Sequence, residues 1–335
     1  MDFKTLLKRP DFILLDGAMG TMLQQKGMPL GAVPETMNLL HPEWLLEIHR
    51  SYLAQGAQVL YANTFGASPY KARGCGYEPE ELVRAGVSLA REAAGGRALT
   101  ALDIGPLGQL LEPAGTLTFE EAYDAFARQV RAGAQAGAEL AVIETMTDLY
   151  EMKAALLAVK ENSSLPVICT MTFEGNGRTF TGCGIPSMAL TLEGLGADAI
   201  GINCSLGPRE LLPLAKELLQ WTTLPLVMKP NAGLPDPATG RYDIGPEQFG
   251  EAMAELARLG VQVLGGCCGT DPRYIAALRQ ALEGVPFRRP ETRVPPAVCG
   301  PSRAVATGGV RVIGERVNPT GKKRFKEALR DRGVE

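Results

Sequence analysis

The feature that most constrains this sequence is a regular alternation of short apolar runs with longer segments of helical periodicity. The apolar runs predict strands at residues 12–15, 58–62, 98–102, 140–143, 166–171, 199–202, 225–228 and 261–264. The segments between them predict helices at residues 42–55, 80–94, 119–136, 149–160, 208–220, 246–259 and 272–282. Strands separated by helices pair in parallel through right-handed crossovers. Eight such units over roughly 280 residues match an α/β fold of the (β/α)8, or TIM-barrel, type.

An open, doubly wound sheet is the alternative arrangement of the same elements. Such a sheet usually carries a glycine-rich phosphate-binding turn after its first strand. The segment DGAMGT at residues 16–21 follows the first predicted strand but lacks the glycine spacing of that turn. The closed barrel is therefore the better match.

Charge and composition narrow the possible partners. A net charge of −3 gives no basic face for nucleic acid, and no apolar run reaches the roughly 18 residues that span a bilayer. The first ten residues do not resemble a secretion signal, so we expect a cytoplasmic protein with a small-molecule ligand. Its seven cysteines are odd in number and dispersed, which predicts free thiols or metal ligands rather than a disulfide framework.

The alternation stops near residue 285, which predicts three parts: a barrel at 1–285, a linker at 286–309 and the truncated beginning of another domain at 310–335. The proline-rich linker should not continue regular helix or sheet. Beyond it, residues 310–315 are typical of a strand, 317–321 of a turn and 322–332 of a helix. A single strand and helix cannot bury their own apolar face, so this last part is expected to belong to a larger unit.

Reactive side chains concentrate where the predicted strands end. In a barrel of this type, the loops after the strands carry the chemistry, so these side chains should share one face. They are Asp16, Asn63, Thr64, Asp103, Glu144, Thr145, Asn203, Cys204, Lys229, Asn231, Cys267 and Cys268.

Three of these residues are cysteines that can converge on one cation. Cys204 follows the sixth predicted strand, and Cys267 and Cys268 follow the eighth within a glycine-rich turn. In a closed barrel only one strand separates the two sites, and three thiolates with an open fourth position form a catalytic type of zinc site. The alternative is that these cysteines are merely small buried apolar residues. Cys169, inside the fifth predicted strand, is expected to be such a core residue.

Six segments together resemble the homocysteine S-methyltransferase family, from about Phe12 to Leu282. The segments are DGAMGT at 16–21, NTF at 63–65, ET at 144–145, GINC at 201–204, PNAG at 230–233 and GGCCGT at 265–270. The tail IGERVNPTG at 313–321 is similar to the opening of a pterin-binding domain. That tail favours the branch of the family that uses cobalamin.

The resemblance implies an enzyme that activates homocysteine as a thiolate on Zn²⁺, held by Cys204, Cys267 and Cys268, and methylates it to methionine. It also implies that the amide oxygen of Asn231 occupies the fourth metal position until the substrate sulfur displaces it. The methyl donor would be methylcobalamin, bound by another module and recharged from methyltetrahydrofolate. The expected partners are homocysteine and cobalamin-binding and folate-binding modules of the same full-length chain.

Further residues are expected to orient the substrate. Backbone N–H groups of Gly17, Ala18 and Gly20, at a helix start, suit the carboxylate of an amino acid. Glu144 and Asp16 suit its ammonium group. Asn63 and Thr64 either line the pocket or satisfy backbone groups. The alternative roles are a helix cap for Asp16 and a turn residue for Asn231.

Two other functions remain open at this stage. Enzymes that take the methyl group from betaine or S-methylmethionine share the thiolate site but lack the tail. A non-catalytic zinc- or thiol-binding module would need a closed fourth ligand, and no fourth Cys or His lies at a suitable strand end.

Overall fold

The computed structural model describes residues 2–235, 242–310, 312 and 323–330. Within them, eight parallel strands form one sheet, ordered β1-β8-β7-β6-β5-β4-β3-β2. The bridge between Leu15 and Val59 joins the two outer strands and closes the sheet into the predicted barrel. The strands are β1 (Ile13–Leu14), β2 (Val59–Tyr61), β3 (Leu99–Ile104), β4 (Leu140–Met146), β5 (Val167–Met171), β6 (Ala199–Asn203), β7 (Leu226–Lys229) and β8 (Val263–Leu264).

Helices surround the barrel. They are α1 (Phe3–Leu7), α2 (Gly20–Gln25), α3 (Met37–Leu40), α4 (Pro42–Ala54), α5 (Pro79–Ala94), α6 (Phe119–Gln135), α7 (Leu149–Asn162), α8 (Ile185–Gly194), α9 (Pro208–Leu218), α10 (Pro246–Arg258) and α11 (Pro272–Ala281). All seven predicted helices are present. The predicted ranges did not include the short helices α1, α2 and α3. They also missed α8, because its residues are largely apolar on every side and show little 3.6-residue periodicity.

Each strand is buried on both of its faces, as expected for a parallel sheet inside a ring of helices. Along β4, Leu140 and Val142 point into the barrel, whereas Ala141 and Ile143 pack beneath the helices. At the amino ends of the strands, Phe3, Leu6 and Leu7 of α1 join the interior cluster. The first helix therefore closes this end of the barrel with apolar side chains.

Residues 286–306 run along the outside of the barrel and contain a hairpin. Strands β9 (Ala297–Cys299) and β10 (Ala304–Ala306) pair antiparallel around a turn in which Gly300 N donates to Arg303 O at 2.8 Å. The prediction that residues 286–309 contain no regular structure is thus wrong for these six residues. The Gly-Pro-Ser tract forms the turn that joins two short strands into a hairpin. We call residues 286–306 the arm.

Part of the predicted tail lies outside the described residues. The helix α12 (Lys323–Arg330) falls within the predicted range 322–332 and has no buried residue. The predicted strand at 310–315 is described only at 310 and 312, and the turn at 317–321 lies outside the described residues. Among the helices of the described chain, none combines the length and the apolar character required to cross a membrane.

Candidate metal centre and substrate pocket

A pocket of about 260 Å³ opens at the carboxyl ends of the barrel strands. The predicted site residues that line it are Asp16, Gly17, Ala18, Gly20, Asn63, Glu144, Cys204, Cys267 and Cys268. Thr64 and Asn231 are buried without lining it. Of the twelve reactive side chains expected to share one face of the barrel, nine line this pocket, and Thr64, Asn203 and Asn231 do not.

The three predicted cysteines converge at the wall of this pocket. Their sulfur atoms lie within 4.8 Å of one another, and those of Cys204 and Cys268 are 3.9 Å apart. Two sulfurs that are each about 2.3 Å from a tetrahedral zinc ion stand about 3.8 Å apart. The cluster therefore has the spacing of a thiolate metal site.

The three thiols are coupled by their mutual hydrogen bonds. Cys204 and Cys267 donate hydrogen bonds to the sulfur of Cys268, and the Tyr242 hydroxyl also donates to it, so the pKa of Cys268 falls to about 3. The pKa of Cys267 is raised well above its usual range, because it donates to Cys204 and Cys268 and is buried beside their charges. Close spacing thus couples the ionisation of the three sulfurs, because like charges at this distance disfavour one another.

Asn231, the fourth metal ligand that the resemblance implies, lies in a segment hydrogen-bonded to the cysteine turn. Its side chain is 4% exposed, and its Oδ1 has no hydrogen-bond partner among the described residues. The backbone ties it to the cysteine turn, because Cys267 N donates to Pro230 O at 2.8 Å and Ala232 N donates to Cys268 O at 2.9 Å. A buried amide oxygen without a partner is unfavourable unless a ligand satisfies it. The residues present thus fit a metal ion held by three sulfurs and one oxygen.

Asn203 organises the backbone around the cysteines, although the sequence analysis did not assign it a role. It is fully buried, and its Oδ1 accepts from Thr145 N and Thr170 Oγ1, both at 2.8 Å. Its Nδ2 donates to Thr145 Oγ1 at 2.7 Å and approaches Cys267 Sγ at 3.9 Å. Thr145, Cys204 and Ser205 all have φ near +60°, a strained conformation for residues other than glycine. Strain held by a buried hydrogen-bond network is typical of functional sites.

The two predicted ammonium ligands contact a lysine of the chain itself. Lys229 Nζ lies 3.7 Å from Asp16 Oδ1 and 3.5 Å from Glu144 Oε2. Asp16 Oδ2 accepts from Tyr61 N at 2.7 Å, and burial raises the pKa of Asp16 to about 7 against the attraction of Lys229. In the sequence, Lys229 stands at the end of an apolar strand. A charged residue in that position indicates a functional role, and this was the signal that the sequence offered.

Other predicted residues serve the scaffold of the pocket. Asn63 Nδ2 donates to Pro34 O and to Asn38 Oδ1, and Thr64 Oγ1 donates to Asp103 O at 2.8 Å. These contacts favour the alternative in which Asn63 and Thr64 satisfy backbone and side-chain groups. Asp103 also lines the pocket.

The loop after β1 is fixed by Thr270. Ala18 N donates to Thr270 Oγ1 at 3.2 Å, and Tyr52 Oη donates to Ala18 O at 2.8 Å. A Cβ at Gly17 would overlap the side chains of Thr270 and Tyr52, so only glycine fits there. The amide of Ala18 is therefore already engaged, whereas the loop as a whole forms one wall of the pocket.

Comparisons with known proteins agree with this geometry. A family model described as homocysteine S-methyltransferase matches residues 13–282. Methionine synthases from Mycobacterium tuberculosis and Mycobacterium leprae are 31% and 32% identical to this chain over 94% of its length. The chain spans 28% of the length of each of these relatives. The metallated form of the homocysteine methyltransferase MmuM from Escherichia coli superimposes with a TM-score of 0.72 at 26% identity, covering 82% of this chain and 98% of that one.

Proposed function

The chain belongs to the homocysteine S-methyltransferase family, and we propose that it binds zinc and activates the thiol of homocysteine for methylation to methionine. The observation that carries this proposal is the convergence of three sulfurs within 4.8 Å of one another. Soft sulfur donors favour zinc among the common divalent metals.

A free thiol has a pKa near 8.5, so only a minor fraction is nucleophilic at neutral pH. Zinc held by Cys204, Cys267 and Cys268 would supply the positive charge that keeps the substrate thiol deprotonated. Asn231 would yield its position to the substrate sulfur. Tyr242, which donates to Cys268, and Asn203, which holds the strained backbone beside Cys204, would keep the sulfurs in place.

We propose that the remaining predicted residues orient the amino-acid end of homocysteine. Glu144 and Asp16 provide negative charge for the ammonium group, and both line the pocket. The loop that contains Gly17, Ala18 and Gly20 forms the wall along which the substrate lies, with N–H groups other than that of Ala18 available to its carboxylate. Asn63 and Thr64 support this wall from behind through their hydrogen bonds.

For the methyl donor we propose methylcobalamin, carried by a separate module and recharged from methyltetrahydrofolate by another. The 28% coverage of the methionine synthases supports it, since those relatives are long enough to contain such modules. In this proposal residues 1–285 form the homocysteine barrel, 286–309 connect it onward, and 310–335 begin a pterin-binding domain. The free cysteines suit a reducing compartment such as the cytoplasm.

A second candidate differs in the donor. The barrel covers 98% of MmuM, which favours a methyltransferase that works without further modules and takes its methyl group from betaine or S-methylmethionine. Assays of homocysteine methylation with methylcobalamin, betaine and S-methylmethionine separate the two. Turnover with betaine or S-methylmethionine and none with methylcobalamin would overturn our choice of donor.

The direct test of the proposal is metal content and zinc-edge absorption with and without homocysteine. We expect one zinc per chain and the replacement of an oxygen neighbour by a fourth sulfur when homocysteine is added. A zinc shell that homocysteine does not change would instead indicate a structural zinc site without turnover.

A further inference from the structure

Tyr242 contacts the cysteine cluster from the loop that follows β7. Its hydroxyl donates a hydrogen bond to the sulfur of Cys268. Its ring lies so close to the backbone of Gly269 that a Cβ at that position would overlap the ring atoms. Gly269 follows Cys268 directly and has a φ of +79°, which favours glycine. The tyrosine therefore rests on the turn that supplies two of the three sulfurs.

The loop around Tyr242 is held by contacts of its own. Ile244 N donates to Ala232 O at 3.0 Å, and the hydroxyl of Tyr274 donates to Ile244 O at 2.8 Å. These hydrogen bonds fix the backbone two residues from Tyr242 and involve no cysteine sulfur. The position of the Tyr242 hydroxyl thus does not depend on its bond to Cys268 alone.

The other two sulfurs also have donors from outside the cluster. Nδ2 of Asn203 approaches the sulfur of Cys267 at 3.9 Å, and the backbone N–H of Ser205 donates to the sulfur of Cys204. The first contact is long, and the second comes from the neighbouring peptide group. The hydroxyl of Tyr242 is the donor that a conservative substitution can remove while the ring stays in place.

A donor at each cysteine matters because zinc with three cysteines and a substrate thiolate presents four sulfurs to an electrophilic methyl donor. Any of them could form the new sulfur–carbon bond while the bond between the donor and the methyl group breaks and the donor keeps the electron pair. Methylation of a cysteine would remove the negative charge that binds the metal. A hydrogen bond to a thiolate lowers its pKa, and the nucleophilicity of a thiolate falls with its pKa.

We propose that Tyr242 protects Cys268 from methylation and so directs the methyl group to the sulfur of the substrate. This positioning role rests on the proposed function and concerns the selectivity of the same site among its own sulfurs. The donors of Tyr242, Asn203 and Ser205 are already engaged with cysteines. A sulfur that enters the fourth position would therefore keep more of its electron density than the three that hold the metal.

The test measures how fast methyl iodide methylates the zinc-loaded chain without homocysteine, with peptide mass spectrometry to locate the methyl groups. Tyr242→Phe keeps the ring and removes the donor. We expect Cys268 to react about tenfold faster in this variant than in the wild type, the effect of losing one hydrogen bond to a charged group. The rate at Cys204 should change little. Equal rates at Cys268 in the two zinc-loaded chains would overturn the proposal.

Tyr274→Phe is the matched control, because it removes a hydroxyl that holds the same loop but does not contact a cysteine. Its Cys268 should react at the wild-type rate. Tyr242→Ala removes both the donor and the ring. If Tyr242→Ala reacts faster while Tyr242→Phe matches the wild type, the ring merely shields the sulfur and the proposal is wrong.

A spectroscopic measurement on the cobalt(II)-loaded chain provides a second readout. The sulfur-to-cobalt charge-transfer band should move to longer wavelength in Tyr242→Phe, because a thiolate without the hydrogen bond gives up electron density more easily. A shift no larger than that of Tyr274→Phe would contradict the proposal. A wild-type chain that holds no zinc would instead refute the proposed function.

Discussion

The two ends of the barrel interior contrast in how their polar groups are satisfied. At the amino end, Gln262 Nε2 donates to the carbonyls of Leu7, Arg9 and Asp11, and its Oε1 accepts from Arg289. At the carboxyl end, buried oxygens of Asp16, Glu35, Asp103 and Asn231 have no hydrogen-bond partner among the described residues. The positive-φ residues other than glycine also lie at the carboxyl end.

The two ends of the barrel therefore contribute differently to folding and to function. The amino end buries apolar side chains and pairs both polar atoms of the Gln262 amide, so it stabilises the fold. The carboxyl end retains strain and unsatisfied oxygens, which a metal ion and a polar substrate can satisfy. Substitutions at the two ends should therefore affect different measurements.

The largest expected effect is on metal binding. Cys267→Ala removes one of three sulfurs, and we expect zinc after dialysis to fall from about one per chain to almost none while the barrel stays folded. Metal analysis and circular dichroism measure the two properties. Cys169→Ala, at a fully buried cysteine of β5, should keep its zinc and lose about 1–3 kcal/mol of stability. Zinc retained by the Cys267 variant would show that the ligand set is wrong.

A substitution at the amino end should have the contrasting effect, which is a loss of stability without a loss of zinc. Phe3 is fully buried in the interior cluster, so Phe3→Ala should lower the free energy of unfolding by about 3–5 kcal/mol. Zinc content and homocysteine affinity should not change in the folded fraction. Urea unfolding and metal analysis of the same preparation test this, and a loss of zinc from folded protein would remove the distinction between the two ends.

The next prediction concerns the helices outside the barrel, which belong to neither end, and tests how their stability depends on pH. His49 in α4 is fully buried without a hydrogen-bond partner, and burial lowers its pKa to about 4. The unfolded chain therefore takes up a proton at higher pH than the folded chain, so stability falls as the pH drops from about 6.5 towards 4. Between about pH 7 and pH 4.5, His49→Leu should gain about 2 kcal/mol relative to wild type.

Urea midpoints at the two pH values measure the His49 effect. His41→Leu, at a partly exposed histidine that stacks on Trp44, is the control and should show no comparable gain. An equal pH response in wild type and the His49 variant would contradict the assignment.

The smallest expected effect tests whether Asn231 is a metal ligand. Asn231→Ala should lower zinc affinity by about tenfold, since three sulfurs remain. Added homocysteine should largely close this gap, because its sulfur occupies the same position. Chelator competition with and without homocysteine measures both values. Asn63→Ala is the control for a nearby asparagine with scaffold contacts, and an Asn231 variant that behaves like it would show that Asn231 is not a ligand.

Much of the fold could be predicted because the local pattern of apolar and polar residues indicates the alternation of strands and helices. The strands at 140–143 and 199–202 were correct in type and within a few residues of their observed ends. Helix α8 was missed because an apolar helix in contact with both sheet and arm has no polar face to reveal its period. The hairpin in the arm was missed because the proline- and glycine-rich composition of this segment conceals two strands of only three residues each.

The cysteines could be predicted because their position at strand ends follows from topology alone. Lys229 and Asn203 needed the coordinates, since their importance comes from the side chains that surround them in space. Tyr242 could not be predicted, because it contacts Cys268 from a loop whose course the sequence does not specify.

The arm has a mechanical consequence for whatever is joined beyond it. It contacts the amino end of the barrel through Arg289, whose Nη2 donates to Leu7 O at 2.7 Å, and the loop after β5 through Ser302, whose carbonyl accepts from Arg178 Nη1 at 3.0 Å. The hairpin turn therefore reaches the face on which the pocket opens, and β10 then leads the chain back along β9 until Thr307 N donates to Pro296 O at 2.6 Å. A partner tethered beyond the hairpin would leave from its base, three strand residues away from the turn, and short tethers give local concentrations on the order of millimolar. Weak docking between such partners would then suffice for repeated encounters.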